Sequence, residues 1–147
     1  MAEPAGAVVL DASVVVKWFR QEESLGNLAV ALRDAYTSGA LRIAVPTLLA
    51  NEVANVLCCQ QDRTTSQVQE ELESLFSMEL VWRAPAPMLM CRAVELARRY
   101  GITAYDATYL AVSEVELAPF VTADERLLRK LTGFPLVRFL GDCDWLG

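Results

Sequence analysis

The sequence contains no histidine, and none of its four cysteines forms a Cys-x-x-Cys pair. These absences exclude histidine-based acid–base catalysis, the usual zinc ligand sets and a dithiol redox motif. The cysteines are therefore interpreted as reduced thiols. Two of them, Cys58 and Cys59, are predicted to serve as small apolar residues of a helix.

The chain also lacks a long apolar run and a basic N-terminal segment. No stretch approaches the about 18 apolar residues of a membrane span, and the start Met-Ala-Glu-Pro is acidic, unlike a secretory signal. We therefore expect a cytoplasmic protein with no membrane partner. A single domain over 1–147 is expected, because 147 residues with 54% apolar content suffice for one core.

Positive charge is scarce. Thirteen lysines and arginines stand against nineteen acidic residues, which gives a formal net charge of −6. Such a surface is poorly suited to coating nucleic acid by charge alone. Any contact with nucleic acid is therefore expected to be local.

Short apolar segments alternate with helical patterns along the chain. The β-branched run over 7–10 lacks polar alternation, which is typical of a strand covered on both faces. The alternation predicts an α/β protein, a three-layer α/β/α sandwich around a mostly parallel sheet with right-handed crossovers. Strands are predicted over 7–10, 41–45, 80–83, 119–122 and 136–139, and helices over 14–20, 28–36, 47–61, 65–78, 87–100, 103–115 and 124–131.

Four acidic residues occupy unusual positions. Asp11 and Asp124 follow the predicted strands 7–10 and 119–122. Glu52 and Asp106 lie near the starts of predicted helices, each as the only charge in a long stretch. The functional crevice of an open α/β sheet lies outside the carboxyl ends of its strands. We therefore expect the four carboxylates to converge there.

Converging carboxylates favour a bound cation. Two bare carboxylates about 4 Å apart repel by about 4 kcal/mol at an effective dielectric near 20. Oxygen ligands without histidine or thiolate suit Mg²⁺ or Mn²⁺, and such a site can direct an activated water in line with a phosphodiester. The sequence thus predicts a metal-dependent phosphodiester hydrolase.

Three of the acids also have a structural interpretation as helix caps. Asp11 and Asp124 can each cap the helix that follows it. Asp106 lies three residues after Thr103, at the spacing of a capping box. Capping alone explains an acid at any one of these positions.

Glu52 has no capping interpretation, and its structural alternative is a buried ion pair with Arg92, Arg98 or Arg99. The same arginines are candidates for holding a substrate backbone. They also have a simpler explanation, because basic residues near the end of a helix are favoured by its dipole.

Two hydroxyl residues, Ser13 and Thr122, lie beside the strand-end aspartates. They are candidates for assisting at the site by bonding a water or a phosphate. Turn hydroxyls otherwise satisfy backbone groups.

Four motifs occur in order along nearly the whole chain: Val9-Leu-Asp11-Ala-Ser13-Val, Pro46-Thr-Leu-Leu-Ala-Asn-Glu52-Val-Ala-Asn55, Tyr105-Asp106-Ala-Thr-Tyr109-Leu-Ala and Val121-Thr122-Ala-Asp124-Glu-Arg-Leu127. As an ordered set they resemble the motifs of PIN-domain proteins, specifically the VapC-type toxin ribonucleases of prokaryotic toxin–antitoxin pairs.

The resemblance implies an endoribonuclease that hydrolyses RNA with a water activated by Mg²⁺ or Mn²⁺. It also implies a homodimer and inhibition by a cognate VapB-type antitoxin. By matching motif positions, the metal-coordinating catalytic acids are Asp11, Glu52, Asp106 and Asp124, assisted by Ser13 or Thr122. Two alternatives remain open: a PIN-type DNA or flap nuclease, and a non-catalytic module whose acids hold a structural cation or an arginine-rich partner.

Overall fold

The computed structural model describes residues 6–143, so the acidic start at 1–4 lies outside the described residues. Five parallel strands form one sheet in the order β3-β2-β1-β4-β5. Helices flank this sheet, which is the predicted three-layer α/β/α fold. The strands are β1 (Ala7–Leu10), β2 (Arg42–Pro46), β3 (Val81–Arg83), β4 (Phe120–Thr122) and β5 (Val137–Phe139).

Seven α-helices occur within residues 6–143, and all lie close to the predicted segments. Two short 3₁₀ turns, Val16–Trp18 and Leu140–Asp142, complete the described elements. The α-helices are α1 (Ala12–Val15), α2 (Gly26–Thr37), α3 (Leu48–Cys58), α4 (Thr65–Ser77), α5 (Pro87–Tyr100), α6 (Ala104–Glu116) and α7 (Glu125–Lys130). None of these described helices is long and apolar enough to cross a membrane.

Two helices differ most from the sequence prediction. The helix predicted over 14–20 begins at Ala12 and tightens into the 3₁₀ turn after Val15. The helix predicted over 47–61 ends at Cys58, and both Cys58 and Cys59 are exposed. Cys58 is therefore the last residue of α3 and Cys59 lies just beyond it, and neither belongs to the buried face of α3, which is formed by other residues, including Leu49 and Val53.

The central strand β1 determines where a functional crevice lies. Val9 pairs with Ala44 of β2 on one side and with Phe120 of β4 on the other, and it is fully buried. The chain first builds the sheet outward through β2 and β3, then returns to the opposite side of β1 with β4. In α/β sheets the crevice at such a switch point, outside the carboxyl ends of the strands, is the usual binding site.

The segment between the first 3₁₀ turn and α2 is held by a close backbone approach at Gly26. A Cβ atom at this position would lie 2.2 Å from the carbonyl oxygen of Gln21. The amide of Gly26 also donates to the carbonyl of Glu23 at 3.0 Å. A side chain at Gly26 therefore forces this segment to move.

We predict that Gly26→Ala lowers the free energy of unfolding by about 1–3 kcal/mol, as overpacking does in tightly packed regions. Gly6→Ala is the matched control, because a Cβ atom added there would have no other atom within 4 Å. Chemical denaturation of both variants checks the prediction. Equal stabilities of the two variants would contradict it.

Candidate functional site

The four isolated carboxylates line one cleft. It has a volume of about 360 Å³ and lies outside the carboxyl ends of β1 and β4. The structure thus brings together side chains that are up to 113 positions apart in sequence. The four acids in its lining are Asp11, Glu52, Asp106 and Asp124.

Two hydroxyl groups fix the carboxylate of Asp11. Ser13 Oγ and Thr122 Oγ1 donate to Asp11 Oδ2 at 2.7 and 2.8 Å. The same hydroxyl oxygens accept from the backbone amides of Ala123 and Asp124 at 2.9 and 3.0 Å. Each hydroxyl has a single proton, and that proton is committed to Asp11. Ser13 and Thr122 therefore position Asp11, whose Oδ1 accepts no hydrogen bond within the described chain.

Of the three acids that could be helix caps, one caps a helix with its side chain and two do not. Asp124 Oδ1 accepts from the backbone amides of Arg126 and Leu127 at 2.9 and 3.2 Å, so Asp124 caps α7 while its Oδ2 stays open. Asp11 precedes α1 but makes no side-chain cap hydrogen bond. For α6 the cap is Thr103, whose hydroxyl accepts from the amide of Asp106 at 3.0 Å.

Glu52 is held by a tyrosine that sequence reasoning missed. The hydroxyl of the fully buried Tyr109 donates to Glu52 Oε1 at 2.6 Å, which leaves Oε2 without a donor in the described chain. Tyr109 lies three residues after Asp106, so both occupy one side of α6. That spacing was visible in the sequence, but the partner of the phenol was not.

The arginines that were the structural alternative for Glu52 do not pair with it. Arg92 forms a bidentate pair with Glu114 at 2.8 and 2.9 Å and a further bond to Glu95. This guanidinium is thus engaged along α5 and α6, outside the lining of the cleft. Arg98 and Arg99 are exposed in the last turn of α5 and also lie outside that lining.

Burial and mutual repulsion raise the pKa values of Asp11, Glu52 and Asp106. Burial raises the pKa of Asp11 to about 6, against the opposing hydrogen bonds of Ser13 and Thr122, and the charges of Asp106 and Glu52 raise it further. Burial also raises the pKa of Glu52, and the charge of Asp106 adds to this shift.

Asp106 behaves in the same way. Burial is the larger cause of its raised pKa and the charge of Asp124 the second, opposed by Thr103 and Lys130. Within residues 6–143 none of the four acids forms an ion pair. Lys17 also lines the cleft, but its ammonium group contacts Glu23 at 3.5 Å. The cleft is therefore a concentration of uncompensated negative charge.

The donor set suits a hydrated divalent cation. Three acids keep one open oxygen each, Asp11 Oδ1, Glu52 Oε2 and Asp124 Oδ2, and the charge of the cleft attracts a cation. In the described part of the chain, however, no three acidic, cysteine or histidine side chains are arranged to hold one ion directly. The four predicted acids thus share one cleft, and their joint coordination of an ion stays a prediction. Mg²⁺ commonly binds through one or two carboxylates and retains several waters, so its binding in this cleft does not require three direct side-chain ligands.

The PIN domain family model matches residues 8–132. The chain belongs to the PIN domain family. No curated protein matches its sequence at a significant level.

Solved structures share the fold of this PIN-domain protein at low sequence identity. A toxin–antitoxin complex from Klebsiella pneumoniae is 15% identical with a TM-score of 0.65, over 90% of this chain and 97% of that chain. PAE2754 from Pyrobaculum aerophilum is 22% identical with a TM-score of 0.66, over 95% and 87%. VapBC2 from Rickettsia felis, bound to a DNA fragment from its promoter, is 15% identical with a TM-score of 0.66, over 90% and 98%.

We predict that Asp11→Asn stabilises the metal-free protein at neutral pH. A pKa raised from 3.8 to about 6 on folding means that the stabilising contribution is present below pH 3.8 and lost as the pH rises through 6. The amide carries no charge, so the variant should exceed the parent protein by about 2–3 kcal/mol at pH 7 and match it near pH 4.

Denaturation with urea at both pH values, in the presence of EDTA, measures this difference. Asp34→Asn is the control, because Asp34 is an exposed acid of α2 outside the cleft. An Asp11→Asn variant no more stable than its parent at pH 7 would show that the cleft does not destabilise the ionised carboxylate.

Proposed function

We propose that this PIN-domain protein is a divalent-metal-dependent endoribonuclease and the toxin of a VapBC-type toxin–antitoxin system. In this proposal one PIN domain spans 1–147, acts in the cytoplasm as a homodimer, and is restrained by a cognate VapB-type antitoxin. The observation that carries the proposal is the cleft in which Asp11, Glu52 and Asp124 each present an open carboxylate oxygen.

The comparisons support the same assignment. The chain is a member of the PIN domain family over most of its length. Two structures that share its fold are described as a toxin–antitoxin complex and as VapBC2. An antitoxin with a basic segment would be attracted to the negative charge of the cleft.

The chain's own side chains would hold Mg²⁺ or Mn²⁺ and orient the substrate. Asp11, Glu52, Asp106 and Asp124 would hold the cation, directly or through its waters. When bound, the cation supplies charge stabilisation on the phosphodiester and the activation of a water. Ser13, Thr122 and Tyr109 keep two of these carboxylates in fixed orientations.

Lys17 is the proposed phosphate-binding residue of the cleft. Lys17 is the basic residue among the described residues that line the cleft, and its side chain is largely buried. In this proposal its ammonium group contacts a phosphate of the RNA as the substrate enters. The bond to Glu23 is long, at 3.5 Å, and is therefore readily exchanged.

We predict that the protein cleaves single-stranded RNA with Mg²⁺ or Mn²⁺ and not with EDTA. Asp11→Asn and Asp106→Asn should each lower the cleavage rate by at least about a hundredfold, as the loss of a group that stabilises developing charge does. Asp34→Asn is the matched control, because it makes the same acid-to-amide change at an exposed residue of α2 outside the cleft.

Gel assays with labelled RNA and DNA of the same sequence measure these rates. Equal cutting by the parent and by both aspartate variants would refute the proposal. Cleavage of DNA in preference to RNA would assign a DNA or flap nuclease. The absence of any cleavage, with acid-to-amide changes that weaken partner binding, would assign a binding module.

We also predict that Mg²⁺ or Mn²⁺ raises the thermal midpoint. A ligand that binds only the folded state stabilises it by about 2.7 kcal/mol at a hundred times its dissociation constant. Asp106→Asn should abolish most of this gain, whereas Asp34→Asn, an acid-to-amide change outside the cleft, should retain it. Differential scanning calorimetry with and without metal checks the prediction, and an unchanged midpoint in millimolar metal would count against the cleft as a cation site.

A further inference from the structure

A second cavity lies beside the acidic cleft, over the carboxyl ends of β2 and β3. Its volume is about 270 Å³, slightly below the about 300–1,000 Å³ of pockets that hold drug-sized ligands. We refer to it as the side pocket. Its lining includes Pro46, Leu48, Asn51, Arg83, Met90 and Tyr105.

The strand order fixes the distance between the side pocket and the cleft. Pro46 and Arg83 end β2 and β3, whereas the cleft lies beyond β1 and β4. In the order β3-β2-β1-β4 the two sites are centred two strands apart. Because neighbouring strands are about 4.8 Å apart, this separation is about 10 Å. A single nucleic-acid strand is therefore long enough to occupy both sites at once.

The same two helices supply both sites. On α3, Asn51 lines the side pocket and the adjacent Glu52 lines the cleft. On α6, Tyr105 lines the side pocket and the adjacent Asp106 lines the cleft. The position of the side pocket relative to the acids is thus set by helix geometry.

The groups in the side pocket match the chemistry of a nucleobase. The Tyr105 side chain is 65% exposed and offers an aromatic face, and base–aromatic stacking is the usual way of holding single-stranded nucleic acid. The side-chain amide of Asn51 makes no hydrogen bond within the described chain, so both its NH₂ donor and its carbonyl acceptor are available to a base edge.

Charge also favours a nucleic-acid strand. Arg83 donates through Nε to Glu116, and its two terminal nitrogens make no hydrogen bond within residues 6–143. Because Arg83 lines the side pocket, these nitrogens are available to a phosphate there. Because Arg42 shares Glu116 with Arg83, these two guanidinium groups and one carboxylate keep one net positive charge, on a protein whose net charge is −6.

We propose that the side pocket is a nucleobase-binding subsite, which stacks one base of the single-stranded RNA on Tyr105 and reads its edge with Asn51. The inference rests on the proposed nuclease function, because it takes the strand whose phosphate enters the acidic cleft as its ligand. A neighbouring base bound about 10 Å away would then select which phosphodiester lies at the acids.

The test is the binding of short single-stranded oligoribonucleotides to the Asp106→Asn protein, measured by fluorescence anisotropy with Mg²⁺ present. Tyr105→Ala, added to this background, should weaken binding between about fivefold and a hundredfold, the loss expected for one stacked base. Tyr105→Phe keeps the ring and should retain the affinity. Val115→Ala is the matched control, because it lies on α6 with an exposure of 66% and does not line the side pocket.

A ribose-phosphate strand without bases separates stacking from other effects. It should bind more weakly than the intact strand, and Tyr105→Ala should not weaken it further. Asn51→Ala should change the order of affinity among strands of A, U and C, whereas Tyr105→Ala should weaken all three.

Equal affinities of the Tyr105→Ala and parent proteins for the intact strand would overturn the proposal, as would the same loss on the strand without bases. Unchanged RNA affinity combined with weaker binding of a co-expressed protein partner would assign the side pocket to that partner and also overturn it. The binding assay is independent of cleavage. Failure of the nuclease proposal, which is seen as absent cleavage, is therefore distinguishable from failure of the subsite.

Discussion

The oxygen Oδ2 of Asp11 accepts hydrogen bonds from two hydroxyl groups, and the geometry of the site depends on this shared acceptor. Ser13 reaches it from α1 and Thr122 from the end of β4. The same two hydroxyls accept from the backbone that leads into α7. One carboxylate oxygen thus joins β1, α1, β4 and the start of α7. Because each hydroxyl proton is already donated to Oδ2, the other oxygen of Asp11 is left for a ligand.

This arrangement stabilises a carboxylate in a place where carboxylates are unfavourable. Burial and the neighbouring acids oppose ionisation of Asp11, and hydrogen bonds to the ionised form only partly compensate. Glu52 shows the same balance between burial and one phenolic donor. An unpaired cluster of this kind lowers stability in the absence of a cation, and such a cost is typical of functional sites. The acids are therefore poorly explained as stabilising elements of the fold.

The layered fold was predictable because its signals are local. The apolar run at Ala7–Leu10 predicted the central strand, and Gly101, with its φ of 63°, ends α5 as predicted. The end of α3 at Cys58 was not predictable, since neither glycine nor proline follows it closely. Exposure of Cys58 depends on which side of α3 packs against the rest of the protein, and local sequence does not determine this.

The site was predictable only as a set of acids. Spacing and the parallel topology place Asp11 and Asp124 at one edge of the sheet. The phenol of Tyr109 bonds Glu52 across 57 positions, and the guanidinium of Arg92 selects Glu114 in preference to Glu52. Both choices depend on how α6 packs against α3 and α5. Sequence patterns carry residue type and periodicity, whereas partner choice is a property of tertiary packing.

On α3 and α6, adjacent residues serve two different cavities, since Asn51 precedes Glu52 and Tyr105 precedes Asp106. Successive side chains on a helix point about 100° apart, so one backbone segment supports two walls that share no side chain. Replacing Asn51 or Tyr105 reshapes one wall without disturbing the hydrogen bonds that orient the acid next to it. Evolution is therefore free to vary one cavity while the other stays constant, and descendants of this chain can diverge in what they recognise before they diverge in chemistry.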